Sequence, residues 1–193
     1  KVWLNADSEL KYPVRFVGGK REVYLKGEGY FQVSKDSCRQ FIVHLQNSEI
    51  TVLGTAFNVS AYEDEAHVYT TLEEGRVAFY SRQNKQRILL KPGMQSDMEV
   101  ATGKTVVSEV DPSLYSAWIE GRFVFQSLDL ESILRQLQRW YDFEVFFQQQ
   151  EVKNYRFRGV LSRDMDIRQA LDIIEETTDL KFDIKGKTIL VRK

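Results

Sequence analysis

The sequence predicts an all-β domain, either a sandwich or a coiled antiparallel sheet, followed by a small α+β domain with a duplicated β-α-β unit. From Val2 to about Val110, short runs of β-branched and aromatic residues alternate with polar residues. Two amphipathic helical patterns follow, and the segments around them repeat. We place the domains at residues 1–112 and 117–193, on either side of the turn sequence at Asp111-Pro112-Ser113.

Seven runs in the first domain have the composition and period of strands. They are Val14–Phe16, Glu22–Leu25, Tyr30–Val33, Phe41–Val43, Glu49–Leu53, His67–Thr70 and Arg76–Tyr80. Turn-forming residues separate the runs closely enough that no long helix fits between them. Gly18-Gly19 and Gly27-Glu28-Gly29 lack the neighbours of a phosphate-binding loop, so we interpret both as hairpin turns.

Two helices are predicted in the second domain. The first has an apolar face made by Leu130, Ile133, Leu134, Leu137 and Tyr141. The second runs from about Asp166 to Thr178, with Asp164 or Asp166 available to cap its amino end. Ile167, Ala170, Leu171 and Ile174 form its buried face.

The second domain contains an internal duplication. When Leu130 is aligned with Ile167, Leu134 and Leu137 fall on Leu171 and Ile174. In the same alignment Asp142-Phe143 falls on Asp179-Leu180, and Phe123-Val124 on Val160-Leu161. We expect the two copies to share one core, closed by a last hairpin strand from Thr188 to Val191.

Charge and composition exclude several classes of protein. The 27 basic and 28 acidic residues give a net charge of -1, too little for general attraction to nucleic acid or an anionic membrane. No apolar stretch is long enough for a transmembrane helix. The chain begins without methionine and enters strand-like sequence at once, so we interpret it as a fragment of a longer protein.

Catalytic, cofactor and metal sites are not predicted. The two histidines, His44 and His67, fall in predicted strands without a ligand at helical spacing. We expect Cys38, the single cysteine, to be buried and inert. The adjacent carboxylates Glu73-Glu74 and Glu175-Glu176 are expected to face solvent rather than form an acid/base pair.

The tetrapeptide Tyr155-Arg156-Phe157-Arg158 alternates aromatic and basic residues. Such a segment could stack on single-stranded nucleic acid. In a half-buried strand, the same pattern puts Tyr155 and Phe157 on the core side and the arginines on the other side. The neutral net charge favours the strand interpretation, so no nucleic-acid partner is predicted.

Longer strings of sequence resemble a known family. They are Trp3–Pro13, Arg21–Phe31, Val52–Val59, Thr71–Val77, Leu90–Gln95 and Trp118–Phe125. Together they resemble the FecR family of transmembrane anti-sigma regulators, in the form common in Bacteroidetes. Physically these strings specify a fold: Gly54 and Gly75 suit tight approaches, Pro92-Gly93 suits a type II turn, and Leu53, Phe57 and Val59 are core candidates.

The resemblance implies a function. Residues 1–112 would be the periplasmic FecR domain, and 117–193 would be similar to the short N-terminal domain of secretins and TonB-dependent transducers. Such a protein would be the periplasmic portion of a single-pass inner-membrane regulator. It would relay the state of an outer-membrane TonB-dependent transducer to an extracytoplasmic-function sigma factor, which a cytoplasmic segment outside this sequence would bind.

Residues for partner binding are proposed on two surfaces of the second domain. An exposed strand edge would use Arg156, Phe157 and Arg158, by strand addition, and a helix face would use Arg135, Gln138 and Arg139. Two other functions stay open from the residues alone. The β domain could bind a glycan or another ligand through exposed aromatic side chains, or an unrecognised set of polar residues could form an active site.

Overall fold

The computed structural model describes all 193 residues, and the chain divides into two compact units, Lys1–Ser116 and Ala117–Lys193. The first unit is almost entirely β-structure, which confirms the predicted fold class. Its elements are β1 (Val2–Leu4), β2 (Glu9–Lys11), β3 (Lys20–Val33), β4 (Gln40–His44), β5 (Ser48–Val52), β6 (Thr55–Ala61), β7 (His67–Glu74), β8 (Val77–Ser81), β9 (Arg87–Leu90), β10 (Met94–Glu99), β11 (Thr105–Glu109) and α1 (Ser113–Ser116).

All eleven strands belong to one curled sheet. The strand order is β11-β10-β7-β6-β3-β4-β5-β8-β9, and β1 and β2 also pair with β3. Strand β3 therefore belongs to both halves of the sheet. Its first residues, Lys20–Tyr24, pair with β4, and its last, Gly27–Val33, pair with β6.

A bend in β3 replaces the hairpin predicted at Gly27-Glu28-Gly29. The prediction of two strands and a turn there was wrong, because these residues lie inside one strand of 14 residues. Gly27 has a φ of 82°, and a Cβ there would lie 2.4 Å from the Ser8 hydroxyl oxygen. Glycine tolerates both conditions, so the strand turns between sheet halves without ending.

The bend brings the two ends of β3 together. Arg21, near its start, donates hydrogen bonds to the carbonyls of Ser34 at 3.2 Å and Arg39 at 3.0 Å, beyond its end. The short connection after β3 can therefore lead into β4 alongside the beginning of β3. As a result β3 and β4 pair in parallel, the one parallel pair in this otherwise antiparallel sheet.

The core of the first unit lies between the two halves of the sheet. In one half, a row of paired residues crosses four strands, and each has a relative exposure of 2% or less. The row consists of Val23, Val43, Ile50 and Phe79. These side chains join buried residues of the other half, such as Phe57, in a single cluster. Burying each large apolar side chain contributes about 1.5–3 kcal/mol, so this shared core stabilises the curled shape.

Several local predictions for the first unit were wrong. Val14–Phe16 is not a strand but an irregular segment in which Val14 is fully exposed. Leu53 is exposed rather than in the core, whereas Phe57 and Val59 are fully buried as predicted. They belong to β6, which was absent from the predicted strands because its first five residues are all buried and show no alternation.

The predictions for Gly54, Gly75 and Pro92-Gly93 were correct. A Cβ on Gly54 would lie 2.6 Å from the Cα of Lys35, and one on Gly75 would lie 2.6 Å from the Gly54 carbonyl oxygen. Gly93 has a φ of 80°, and the N–H of Met94 donates to the Lys91 carbonyl at 3.1 Å. This is the hydrogen bond expected of a type II turn with proline and glycine in the middle.

The second unit consists of two β-α-β copies and a closing strand. Its elements are a 3₁₀ turn (Ala117–Glu120), β12 (Arg122–Asp129), α2 (Leu130–Tyr141), β13 (Glu144–Phe147), a 3₁₀ turn (Gln150–Asn154), β14 (Arg156–Ser162), α3 (Ile167–Glu176), β15 (Lys181–Lys185) and β16 (Thr188–Arg192). Strands β12 and β14 form one antiparallel sheet, and β13, β16 and β15 form another. Buried side chains from both copies form one core.

Corresponding aspartates start the two helices. Asp129 accepts a hydrogen bond from the N–H of Ser132, and Asp166 accepts one from the N–H of Gln169. The Gln169 side chain returns a bond to the Asp166 backbone, which completes a capping box. Of the two caps considered for the second helix, Asp166 is therefore the one used.

The duplication is confirmed in its helices but slips by one residue in the first strand of each copy. Phe123 is buried, whereas Val160, with which it was aligned, is 57% exposed. In the sheet Phe123 instead faces Leu161 across the strand pair. A bulge in β12, where Ser127 adopts a φ of 57°, shifts the register of the two strands.

Candidate partner interface

The polar side chains of the first unit do not form a recognisable catalytic site. His44 and His67 lie on β4 and β7, which are not neighbouring strands. His44 Nδ1 lies 2.9 Å from an Arg82 nitrogen, and His67 Nδ1 lies 2.6 Å from Asp97. No group of three or more histidine, cysteine, aspartate or glutamate residues is placed to hold a metal ion.

Cys38 and Glu175 differ from their predicted environments. Cys38 is exposed, not buried, because it lies in the loop between β3 and β4, outside the core. The Glu175 side chain is only 14% exposed rather than solvent-facing, because it turns towards the backbone of β15. Glu176, Glu73 and Glu74 are exposed as expected.

The helix-face candidates lie on α2. Arg135, Gln138 and Arg139 are all half-buried. The Gln138 amide donates a hydrogen bond at 3.0 Å to the carbonyl of Phe143, the residue that leads into β13. Gln138 therefore already has a structural role within its own unit.

The strand candidates lie on β14, where their side chains alternate between two faces. Phe157 is half-buried against the core of the second unit, together with the neighbouring Tyr155. Arg156 and Arg158 are exposed on the other face. The structure thus brings the two arginines together, whereas Phe157 contributes to the core on the opposite face.

Backbone pairing shows which groups of β14 point away from the sheet. The N–H of Arg163 donates to Gly121, and the N–H of Leu130 donates to Tyr155, both at 2.8 Å. Because antiparallel pairing alternates, the odd-numbered residues of β14 direct their N–H and C=O groups to β12. The intervening residues Arg156, Arg158 and Val160 direct theirs outwards, and β14 has no other strand beside it.

The solvent face of the same strand pair has a simple composition. Val124 and Val160 face each other across β12 and β14, and three arginines lie on the same two strands. The arginines are Arg122 at the start of β12, and Arg156 and Arg158 on β14. Arg122 is ion-paired with Glu120, and Arg156 lies opposite Asp129. Arg122, Val124 and Val160 were not among the residues predicted for an interface, although the alternation in β12 could have placed Arg122 and Val124 on one face.

One edge strand of the other sheet, β15, is covered by side chains of α3. Glu175 accepts a hydrogen bond from the N–H of Phe182 at 2.7 Å, and Arg168 donates to the carbonyl of the same residue at 3.1 Å. These two groups of β15 are therefore occupied. Proteins commonly protect open sheet edges in such ways, and β14 has no equivalent cover.

The electrostatic environment of Glu175 fits this structural role. Its burial alone would raise the pKa of the carboxyl group. The hydrogen bond from Phe182 and the ammonium group of Lys181, 3.0 Å away, outweigh burial, so the pKa lies below its ordinary value. Glu175 is therefore ionised at neutral pH.

No helix in the structure is both long and apolar enough to cross a lipid bilayer.

Two family models match the chain. One, described as "FecR protein", matches residues 1–78, and the other, described as "FecR, C-terminal", matches residues 122–191.

The chain is also similar to solved structures. Two crystal structures, at 1.65 and 2.50 Å resolution, show a protein of Parabacteroides distasonis described as a "putative anti-sigma factor". Each is 25% identical to the present chain, with a TM-score of 0.90, and the match covers 100% of this chain and 89% of the other. A comparison with curated proteins found no match.

Proposed function

Because the chain belongs to the FecR family, we propose that it is the periplasmic signalling portion of a membrane-anchored anti-sigma factor. In this role it relays the state of an outer-membrane TonB-dependent transducer to an extracytoplasmic-function sigma factor. The relay works by protein-protein contact and requires no catalysis. A segment outside this sequence binds the sigma factor, and another anchors the protein in the inner membrane.

One observation carries this proposal. Both halves of the chain match FecR models, in the order of that family, and the whole chain shares its fold with a protein described as a "putative anti-sigma factor". The absence of a recognised metal cluster and of a recognised catalytic arrangement is compatible with this role but does not by itself support it.

The second unit is our candidate for contact with the transducer. Its β12–β14 sheet has an exposed face with arginines and an uncovered edge, whereas the residues proposed on α2 are half-buried. We therefore prefer the β14 surface to the helix face. The contact would involve the periplasmic signalling domain of the transducer.

Two tyrosines on the outer face of the first sheet, which are candidates for glycan stacking, each have a neighbouring side chain against one ring face. A sugar ring would stack on an open aromatic face. Tyr24 is stacked on His44, with 4.8 Å between ring centroids, and the guanidinium of Arg87 lies 5.0 Å from the ring centre of Tyr80. One face of each tyrosine is thus occupied within the protein.

Calorimetric titration tests the proposed contact. The chain comprising residues 1–193 is titrated with the signalling domain of the transducer that is encoded beside its gene. We expect saturable binding, with no binding to the signalling domain of an unrelated transducer as the control. If the folded proteins do not bind at high micromolar concentration, the proposed relay through this chain is wrong.

A further inference from the structure

We propose that the outer edge of β14 binds an extended acidic segment of the partner, which adds a third strand to the β12–β14 sheet. This inference rests on the proposed function for the nature of the partner, a protein rather than a small molecule. It goes further by assigning the atoms that bind and the chemistry that they select.

The outward backbone groups of β14 are available for pairing. Arg156, Arg158 and Val160 direct their N–H and C=O groups away from β12, as the pairing pattern shows. None of these backbone groups has a hydrogen-bond partner in a neighbouring element. A strand lying beside β14 would satisfy them, and main-chain pairing of this kind supplies affinity in many peptide complexes.

The side chains along the β14 edge favour an acidic strand. The exposed residues that flank this edge on the solvent face are Arg156, Arg158 and Val160, and β14 contains no acidic residue. One guanidinium nitrogen of Arg156 donates to the Ser127 carbonyl at 2.7 Å, which leaves its other nitrogens for a partner. An added strand would present alternate side chains on the same face, beside the arginines. Carboxylates at those positions would pair with the guanidinium groups, so the edge favours an acidic strand over a basic one.

An edge strand of the other sheet, β15, is protected against pairing. Glu175 and Arg168, both on α3, occupy the N–H and C=O of Phe182 in β15. No helix side chain makes an equivalent pair of bonds to β14. One edge strand of the unit is thus protected against pairing, and β14 is left available.

The test uses synthetic peptides and the full chain of residues 1–193. A fluorescein-labelled heptapeptide of alternating glutamate and valine is titrated with the protein, and fluorescence anisotropy is measured. A peptide with lysine in place of glutamate is the charge control. We expect the glutamate peptide to bind at least about tenfold more tightly, with a difference that shrinks at high salt. Equal affinity for the two peptides, or no binding of the glutamate peptide, would overturn the proposal.

Two N-methylated forms of the glutamate peptide test backbone pairing. In one form the glutamate nitrogens are methylated, and in the other the valine nitrogens. A strand presents alternate N–H groups to opposite edges, so only one form should lose binding to β14. Loss in the glutamate form would indicate antiparallel pairing, and loss in the valine form parallel pairing. If both forms bind like the parent, or neither binds, the added strand is excluded.

Variants of the protein locate the site. Val160→Pro removes one outward N–H and should weaken peptide binding by about tenfold, whereas Val160→Ala should not. Because proline could disturb folding, the double charge reversal Arg156→Glu/Arg158→Glu provides a second test, and it should reverse the preference to the lysine peptide. Unchanged binding by a folded Val160→Pro protein, or an unreversed preference in the double variant, would contradict the assignment.

The same variants separate this inference from the proposed function. If the folded transducer domain binds the wild-type chain and the Val160→Pro variant equally, the relay stands and the β14 assignment fails. If the transducer domain does not bind the wild-type chain but the glutamate peptide does, the edge is a strand-binding site and the proposed relay fails.

Discussion

The carboxylate of Glu175 accepts a hydrogen bond from the N–H of Phe182, with 2.7 Å between oxygen and nitrogen. In the first copy, the helix residue at the corresponding position is Gln138, which donates to the carbonyl of Phe143 at 3.0 Å. In each copy, therefore, one polar side chain ties the last part of the helix to the chain that follows it. Glutamate accepts a hydrogen bond from an N–H, and glutamine donates one to a C=O. The two copies therefore make this connection with hydrogen bonds of opposite direction.

Replacing Glu175 should destabilise the second unit. Glu175→Ala leaves the Phe182 N–H without its acceptor, and we expect the free energy of unfolding to fall by about 1–3 kcal/mol. Urea denaturation, followed by circular dichroism, measures the change. Glu176→Gln is the matched control, because Glu176 is adjacent and exposed. A loss as large in the control would mean that general helix charge, and not the bond to β15, is responsible.

The Glu175 contribution should also depend on pH. The pKa of this carboxyl is lower in the folded protein than its ordinary value of 4.5. The stability that it supplies is therefore complete above that value and is lost as the pH falls through the folded pKa. Between pH 7 and about pH 3, the wild type should lose more stability than Glu175→Gln. Parallel pH profiles for the two proteins would contradict the lowered pKa.

The two helix caps should make separate, similar contributions. Asp129→Ala and Asp166→Ala each remove an acceptor for an N–H of the first helical turn, and each should cost about 1 kcal/mol. Asp164→Ala is the control, because Asp164 does not cap α3. We expect it to change the unfolding free energy by less than about 0.5 kcal/mol. A larger cost for Asp164→Ala than for Asp166→Ala would reverse the assignment of the cap.

Gly75 should be intolerant of any side chain. Its φ is 93°, and a Cβ would lie 2.6 Å from the carbonyl oxygen of Gly54, which is backbone and cannot rotate away. We expect Gly75→Ala to lower the free energy of unfolding by about 2 kcal/mol or more, as measured by thermal denaturation. Gly19→Ala, where a Cβ meets nothing within 4 Å, should fold as well as the wild type. Equal stability of both variants would refute the close approach.

Tyr30 should ionise only in strong alkali. Burial, followed by the hydrogen bond to Glu73 at 2.9 Å, raises the pKa of its phenol to about 12. Since the folded pKa is the higher one, the stability that Tyr30 supplies is complete below pH 10.0 and is lost as the pH rises through the folded value. In the wild type, phenolate absorbance should show a component that appears at high pH as Tyr30 ionises. This component should appear at lower pH in Glu73→Gln and should be absent in Tyr30→Phe. An identical titration of all three proteins would disprove the shift.

Much of the fold could be predicted because its signals are local. The apolar stripe of Leu130, Leu134 and Leu137 needs only helical periodicity, and the aligned positions in α3 follow from it. Gly27 shows the limit of this reasoning. In sequence it resembles a hairpin turn, and only its approach to Ser8, the residue before β2, shows that it bends a continuous strand.

The candidate interface was harder to predict, because an open edge is a property of the whole sheet. Arg156 and Arg158 could be placed on one face by alternation alone. That β14 lacks a second neighbour, and that Glu175 closes β15, depends on pairings between strands distant in sequence. The two copies are also shifted by one residue in their first strands, so that Leu161 rather than Val160 faces Phe123. This shift comes from a bulge in β12 that has no clear sequence signal.

Strand β16 lies between β13 of the first copy and β15 of the second, with Ile189 opposite both Val145 and Ile184. The first copy therefore has no partner for β13 until the last strand has been added. Although the copies look like two modules, neither can fold as a half. Folding of this unit must wait for contacts between residues far apart in sequence, which makes it slow compared with a helical protein of equal size. Proteolytic removal of Thr188–Arg192 would therefore unfold both copies at once.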